Sequence, residues 1–321
     1  MLTGKSRIAD VAAELYLKDE MEWLFGRGFW ESENTLLQDI GHLGGQDSVK
    51  SVHGGLNALA RMKEKGVLPI RPIWNEAETA QDKSRADTAL YCFPAANRGP
   101  FALICPGGGY GCVVSVTEGL PIAAALNKLG VTAFVLLYRV GENARYPAPQ
   151  DDLAQALRLI LKNADDYNVT RENYSVWGFS AGGHLAASFG TSNMGYAHYG
   201  LPAPAALVLS YPVVTMGQLT HEGSRINLLG ENADEAARDF ASVEKHVDRH
   251  YPCTYIWTCR GDGVVPFANS RMLKQSLSDA GVRHRLKVVE GTAHGWSLAN
   301  GTEAEGWFTE AVAFWRSAMT R

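Results

Sequence analysis

The chain has 321 residues, enough for one large domain or two ordinary ones. Hydrophobic residues make up 46% and charged residues 20%, which excludes a disordered chain. The formal net charge is -4, from 30 Lys and Arg against 34 Asp and Glu, so the basic stripe of a general nucleic-acid binder is not expected.

In chain order, Ile8, Val11, Ala12, Leu15 and Tyr16 fall at helical spacing and predict an amphipathic helix. The opening stretch has no basic segment followed by an apolar block and a small-residue cleavage site, so no secretory signal is read from it. Trp23, Phe25, Phe29 and Trp30 follow among charges and glycines, and core packing is their default role over sugar stacking. A second, short helix is expected from about Leu56 to Gly66. Residues 67–74 contain Pro69 and Pro72 and read as extended. Residues 76–87 are polar and read as a surface connector.

From about Thr88 the pattern becomes alternating strands and helices. Strands are expected at 89–93, 101–105, 132–138, 174–177, 207–211, 254–259 and 285–289. Helices are expected between them at 120–129, 150–164, 181–189 and 269–280, and again at 305–318. Apolar strands alternating with helices of this length predict an α/β fold, a mostly parallel sheet covered on both faces. No linker separates the first part of the chain, so residues 1–87 are expected to pack as an extension on a catalytic domain of residues 88–321. The acidic stretch 222–247 predicts a cap around residues 215–250. The longest apolar runs, such as 131–138, fall well short of the roughly 20 residues of a membrane-spanning helix.

The sharpest motif is Gly178-Phe179-Ser180-Ala181-Gly182, between a strand-like run and a helix-like run. A Gly-x-Ser-x-Gly in that setting is a nucleophile elbow. The turn is so tight that side chains two positions either side of the serine collide, which demands glycine. The helix start then aims backbone N–H groups at a developing oxyanion. A second motif, Pro106-Gly107-Gly108-Gly109-Tyr110, follows a strand. Its place matches the glycine-rich loop that supplies the other oxyanion donor, though Pro stands where such loops carry His. The expected donors are Ala181 and Gly108 or Gly109. A phosphate-binding loop fails on spelling, since neither GxxxxGK[ST] nor GxGxxG is present.

Order supplies the third signal. Asp262, in Gly261-Asp262-Gly263, and His294, in Ala293-His294-Gly295, each follow a strand and come after Ser180 in acid-then-base order. Both loops leave carboxyl ends of strands, the edge that displays Ser180. His294 is expected to take the Ser180 proton, and Asp262 to fix the imidazole tautomer. Asp248 is a rival acid, but it precedes its strand. His246 and His250 are four apart and could share a helical face, yet no HExxH surrounds them, so a solvated helix is the expectation. His184, just inside the helix after the serine, is read as packing or support for the site.

The stretches CPGGGY, FVLLYRVG, YPAPQDDLAQALRLI, VWGFSAGGHLAA, LSYPVV, RINLLG, RGDGVVPFANSRML and GTAHGW together resemble the α/β-hydrolase fold enzymes. Within them the chain is similar to the bacterial esterases grouped with acetyl-xylan and feruloyl esterases. The resemblance covers most of the last 230 or so residues. It implies a nucleophile at Ser180, an acid at Asp262, a base at His294 and hydrolysis of small-acyl esters, with acetyl groups on oligosaccharides as the substrate expectation. A prolyl-oligopeptidase-type exopeptidase and a catalytically silent interaction protein of the same fold are the alternatives. No cofactor, metal, nucleic acid or membrane partner is called for, and a homo-oligomer is left open. The five cysteines form no CxxC pair and fit a reducing cytoplasm.

Overall fold

The computed structural model describes residues 2–15, 34–39, 46–65 and 70–319. Helices α1 (Ile8–Leu15) and α2 (Gln46–Glu64) precede strand β1 (Ile70–Pro72) and helix α3 (Glu76–Gln81). Then come β2 (Ala89–Phe93), β3 (Phe101–Cys105), the short α4 (Ser115–Glu118), α5 (Leu120–Lys128), β4 (Thr132–Leu137) and α6 (Ala148–Lys162). Strand β5 (Ser175–Phe179) runs directly into α7 (Ser180–Ser188), followed by β6 (Ala206–Ser210), α8 (Glu222–Leu229) and α9 (Glu235–Ala241). The chain closes with β7 (Cys253–Cys259), α10 (Ala268–Asp279), β8 (His284–Val289) and α11 (Trp307–Met319).

The eight strands form one sheet in the order β1-β2-β4-β3-β5-β6-β7-β8. The six from β4 to β8 are parallel, and β1 and β2 add antiparallel pairs at one edge. Every residue of β2, β3, β4, β5 and β6 is buried, which is why these strands read as continuous apolar runs rather than alternating ones. The chain runs outward from β3 to β4, then returns to place β5 on the other side of β3. This reversal opens the crevice in which open α/β sheets bind ligands. Register does the rest. Cys105 pairs with Gly178, Phe179 with Ser210, and Cys259 with Val289. The loops after β3, β5, β6, β7 and β8 therefore leave one sheet edge together.

One expectation fails for a local reason. Helix α2 begins ten residues before Leu56, with Gly54 and Gly55 inside it. At Gly55 a Cβ would lie 2.9 Å from the backbone of Leu120, so this glycine lets α2 pack close on α5 instead of breaking the helix. The connector 76–87 lies at the surface, with none of its residues buried, and is helical rather than irregular: α3 is followed by a 3₁₀ turn, Lys83–Asp87. Asn75 and Glu78 form a reciprocal capping box, each side chain accepting from the other's N–H at 2.9 Å. That N-x-x-E spelling was readable. Trp23, Phe25, Phe29 and Trp30 lie outside the described residues.

The chain before Thr88 is joined to the rest through the edge of the sheet and through a buried charge. Ile70 pairs with Tyr91 across β1 and β2. Trp74 Nε1–H donates to Asp152 Oδ1 at 2.9 Å, and Gln155 donates to the Ile73 carbonyl at 3.1 Å. Arg139 reaches both Asp152 at 3.0 Å and Asp82 at 2.9 Å. No helix among the described residues is long and apolar enough to cross a membrane.

Candidate active site

Ser180 is the first residue of α7 and holds φ at +53°, in the left-handed region a serine rarely adopts. The flanking glycines explain how such a turn closes. A Cβ at Gly178 would stand 2.3 Å from the Gly182 carbonyl oxygen, and one at Gly182 would stand 2.2 Å from that of Cys105. Neither contact could be relieved without moving backbone. The strained turn lifts Ser180 to the sheet edge and leaves it 7% exposed.

The β7 and β8 loops are fastened to each other. Arg260 N–H donates to the Val289 carbonyl at 2.9 Å, and Gly261 N–H to the Gly291 carbonyl at 2.8 Å. This brings Asp262 and His294, 32 residues apart, into one cluster. Asp262 Oδ1 accepts from the N–H groups of Val264 and Val265, both at 2.9 Å, which fixes the carboxylate plane. Its Oδ2 lies 2.7 Å from His294 Nδ1, and its side chain is fully shielded from solvent. A carboxylate only accepts, so Nδ1 carries the ring proton and Nε2 is left as the acceptor. Ser180 Oγ sits 2.8 Å from Nε2 and donates to it. Hydroxyl, imidazole and carboxylate thus form one continuous relay.

The glycine loop closes the other side. Gly107 N–H is taken up by Glu118 Oε2 at 2.7 Å, whereas the N–H groups of Gly108, Gly109 and Ala181 find no partner among the described residues. Gly108 sits at φ +123°, and a Cβ there would meet the Cys112 carbonyl oxygen at 2.3 Å. Ala181 is at the start of α7, where backbone N–H groups have no intrahelical acceptor. Tyr110, at the end of the loop, donates its hydroxyl to His184 Nδ1 at 2.9 Å, because His184 Nε2–H is committed to the Ala241 carbonyl at 2.8 Å. Complete burial depresses His184 from its ordinary 6.5 to about 4, so it is a neutral strut between loop and α7.

Helices α8 and α9 lie within the stretch read as a cap. Asn227 donates to the Gly109 carbonyl at 2.9 Å, and Arg145 donates to the Ile226 and Asn227 carbonyls. His221 caps α8: its Nδ1 accepts from Ser224 N–H, which places the ring proton on Nε2. Its ring stands over the glycine loop, with Cε1 3.4 Å from where a Gly109 Cβ would be. Burial, and then the nearby His294, hold its pKa below the ordinary histidine value.

Among the rival groups, Asp248 caps the turn before β7, at the opposite end of that strand from Asp262. His246 and His250 do not share a helix. His246 follows a 3₁₀ turn and bonds the Asp239 carbonyl, while His250 lies in the next turn beside Arg249. The expected solvated helix is absent there because Val243–Lys245 is too short to carry both. Sequence reasoning missed Glu118, Tyr211, His221 and Asn227. Glu118 did leave a sign: it is one acid inside the apolar run 112–126, and a lone carboxylate there is rarely buried without partners.

The fold and the strand-to-helix serine turn define the class as α/β-hydrolase. The profile of the BD-FAE family matches residues 94–277, and the chain belongs to that family. The chain is 34% identical over 215 residues to endo-1,4-beta-xylanase B of Butyrivibrio fibrisolvens, a match that covers 64% of this chain and 34% of that protein. It is 29% identical over 215 residues to the acetylxylan esterase of Xylanibacter ruminicola, covering 65% of this chain and 44% of the relative. The chain therefore spans less than half the length of these two curated relatives. The crystal structure of an acetyl ester-xyloside bifunctional hydrolase from Caldicellulosiruptor lactoaceticus superimposes with a TM-score of 0.69 at 30% identity. That match covers 77% of this chain and 95% of the other.

Proposed function

We propose that the protein is a serine esterase that removes small acyl groups, acetyl above all, from carbohydrates through an acyl-enzyme. The observation that carries this reading is the unbroken relay from Ser180 Oγ through His294 to Asp262, at 2.8 and 2.7 Å. The acetylxylan esterase and acetyl ester-xyloside hydrolase among its relatives support the substrate class.

In this mechanism Ser180 Oγ attacks the ester carbonyl as its proton passes to His294 Nε2. Asp262 stabilises the imidazolium and holds the ring in the tautomer that can accept that proton. The negative charge on the carbonyl oxygen is met by the N–H of Ala181 and of Gly108 or Gly109, with the positive end of α7 behind them. Imidazolium protonates the departing alcohol. A water then gives its proton to His294 and attacks the acyl-enzyme, releasing the acid and restoring Ser180.

Residues 1–87 act as an extension packed on a catalytic domain of residues 88–321, with a cap around 215–250 that shapes access to the serine. The pairing of β1 with β2 and the contact of Asn227 with Gly109 support this division. Five free thiols, four of them buried, support a reducing cytoplasm. The test is a panel of acetyl, butyryl, octanoyl and feruloyl esters beside acetylated xylo-oligosaccharides. Acetate release from the sugar, with little activity on octanoyl esters, is the expected result; a preference for long chains contradicts it.

A further inference from the structure

Beneath the relay lies a carboxylate that the mechanism above does not use. Glu118 ends α4 and is 3% exposed. Its two oxygens are each engaged by a donor from a different part of the site. Oε2 accepts from Gly107 N–H at 2.7 Å, and Oε1 accepts from the Tyr211 hydroxyl at 2.9 Å. The fit leaves no slack. A Cβ at Gly107 would come within 2.6 Å of Oε2 and 2.8 Å of Ser180 Cβ, so the carboxylate, the loop and the nucleophile are packed together. On the other side, the Tyr211 ring lies against His294, with centroids 4.5 Å apart. A Cβ at Gly295, the residue after His294, would be 3.9 Å from Oε1.

We propose that Glu118 is a positioning residue for the relay: it clamps the glycine loop to Tyr211 and sets a second negative charge, besides Asp262, beside the imidazolium that forms on His294. This rests on the esterase reading of the site. Both donors point at Glu118 oxygens, which is what an ionised carboxylate requires. Burial pushes its pKa up, while attraction to His294 and the two hydrogen bonds pull it back. Among the described residues, the titratable groups facing His294 are Asp262, Glu118, Tyr211 and His221. Those facing Glu118 are His294, Tyr211, Cys112 and Tyr138. Burial pushes the Cys112 thiol up to about 12 and both phenols well above their ordinary value. At neutral pH those three groups are uncharged, and among the described residues facing His294, Glu118 is the group besides Asp262 that can present a negative charge to it.

A nearby negative charge makes the imidazole a stronger base, so its removal has a signature that a purely structural role lacks. Glu118→Gln keeps the shape, removes the charge and leaves one of the two donors unpaired. The experiment compares the wild-type chain, Glu118→Gln, Tyr211→Phe and Ser180→Ala on p-nitrophenyl acetate from pH 4 to 9. In Glu118→Gln, kcat should fall roughly tenfold with KM within about twofold, and the acid limb of kcat/KM should move about half a unit or more to lower pH. Tyr211→Phe removes one donor and makes Glu118 harder to ionise, so its limb should move the same way by less. That variant carries the test if Glu118→Gln does not fold. Hydrolysis that depends on Ser180, with the acid limb unmoved in the folded variant, overturns the inference alone. Hydrolysis that survives Ser180→Ala overturns the esterase reading and this inference with it.

Discussion

The serine turn and the Glu118 pocket are joined through Gly107, yet the chain encodes them in different ways. The turn is short: the glycines it needs, Gly178 and Gly182, are four positions apart, and what demands them is backbone, that of α7 at Gly178 and that of the β3 end, Cys105 and Pro106, at Gly182. The pocket is assembled from distant pieces, with Gly107 11 residues away and Tyr211 93 residues away from Glu118. A local steric demand prints itself as a spelling, whereas a buried charge is satisfied by whichever donors the fold delivers. The first can be read from residues in order, and the second only after strand register is known.

The largest effect that separates the two regions is at Ser180, the proposed nucleophile. Ser180→Ala should lower kcat by about 10⁶-fold without changing the fold, measured as acetate release at saturating substrate. A buried charge outside the relay should behave in the opposite way. Asp152→Ala removes the buried partner of Arg139, whose side chain is 6% exposed and keeps only the partly exposed Asp82 as counter-ion, and it also removes the acceptor of the Trp74 indole. The expected cost is about 3–5 kcal/mol in urea unfolding, with kcat per folded molecule little changed. Loss of activity in proportion to the serine variant would break the contrast.

The turn itself sharpens it. Gly182→Ala forces a methyl against the carbonyls of Cys105 and Pro106, so stability should drop by about 3 kcal/mol and activity should fall as well. A variant with native stability would show that the glycine spelling is not steric in origin.

Acid should reach the loop strut next. His184 has a folded-state pKa below its unfolded value, so its contribution to stability is present above pH 6.5 and is lost as pH falls through about 4. Protonation of Nδ1 removes the acceptor of the Tyr110 hydroxyl. The urea midpoint of the wild-type chain should decline across that window, and His184→Gln should flatten the decline.

The smallest effect concerns Glu118 and has the reverse sign. Its folded-state pKa is raised, so its contribution is full at low pH and fades as pH rises past the ordinary glutamate range. The stability of Glu118→Gln relative to wild type should therefore improve between pH 4 and 8, whatever the constant offset from its lost hydrogen bond. A difference independent of pH would mean that Glu118 does not titrate in that range.

Much of this was legible. The strands β2 and β3 begin and end where apolar runs between polar breaks place them, and the other core strands shift by one or two residues at one or both ends. Ser180, Asp262 and His294 were visible because each sits in a glycine-flanked turn after a strand, in acid-then-base order. The structure brings these three together. What stayed hidden depended on contacts across the chain. Strand β1 is three residues long and contains Pro72, so only its pairing with β2 makes it a strand. His221 carries no spelling of its own. It becomes part of the site because α8 is held over the glycine loop by Asn227 and Arg145.

The most direct measurement is active-site labelling of the folded protein by a fluorophosphonate, read by intact mass and peptide mapping. One adduct per chain is expected, on Ser180 alone, slowed strongly in His294→Ala and absent in Ser180→Ala. An unlabelled protein with native structure, or an adduct on another residue, would contradict a working relay between these three side chains.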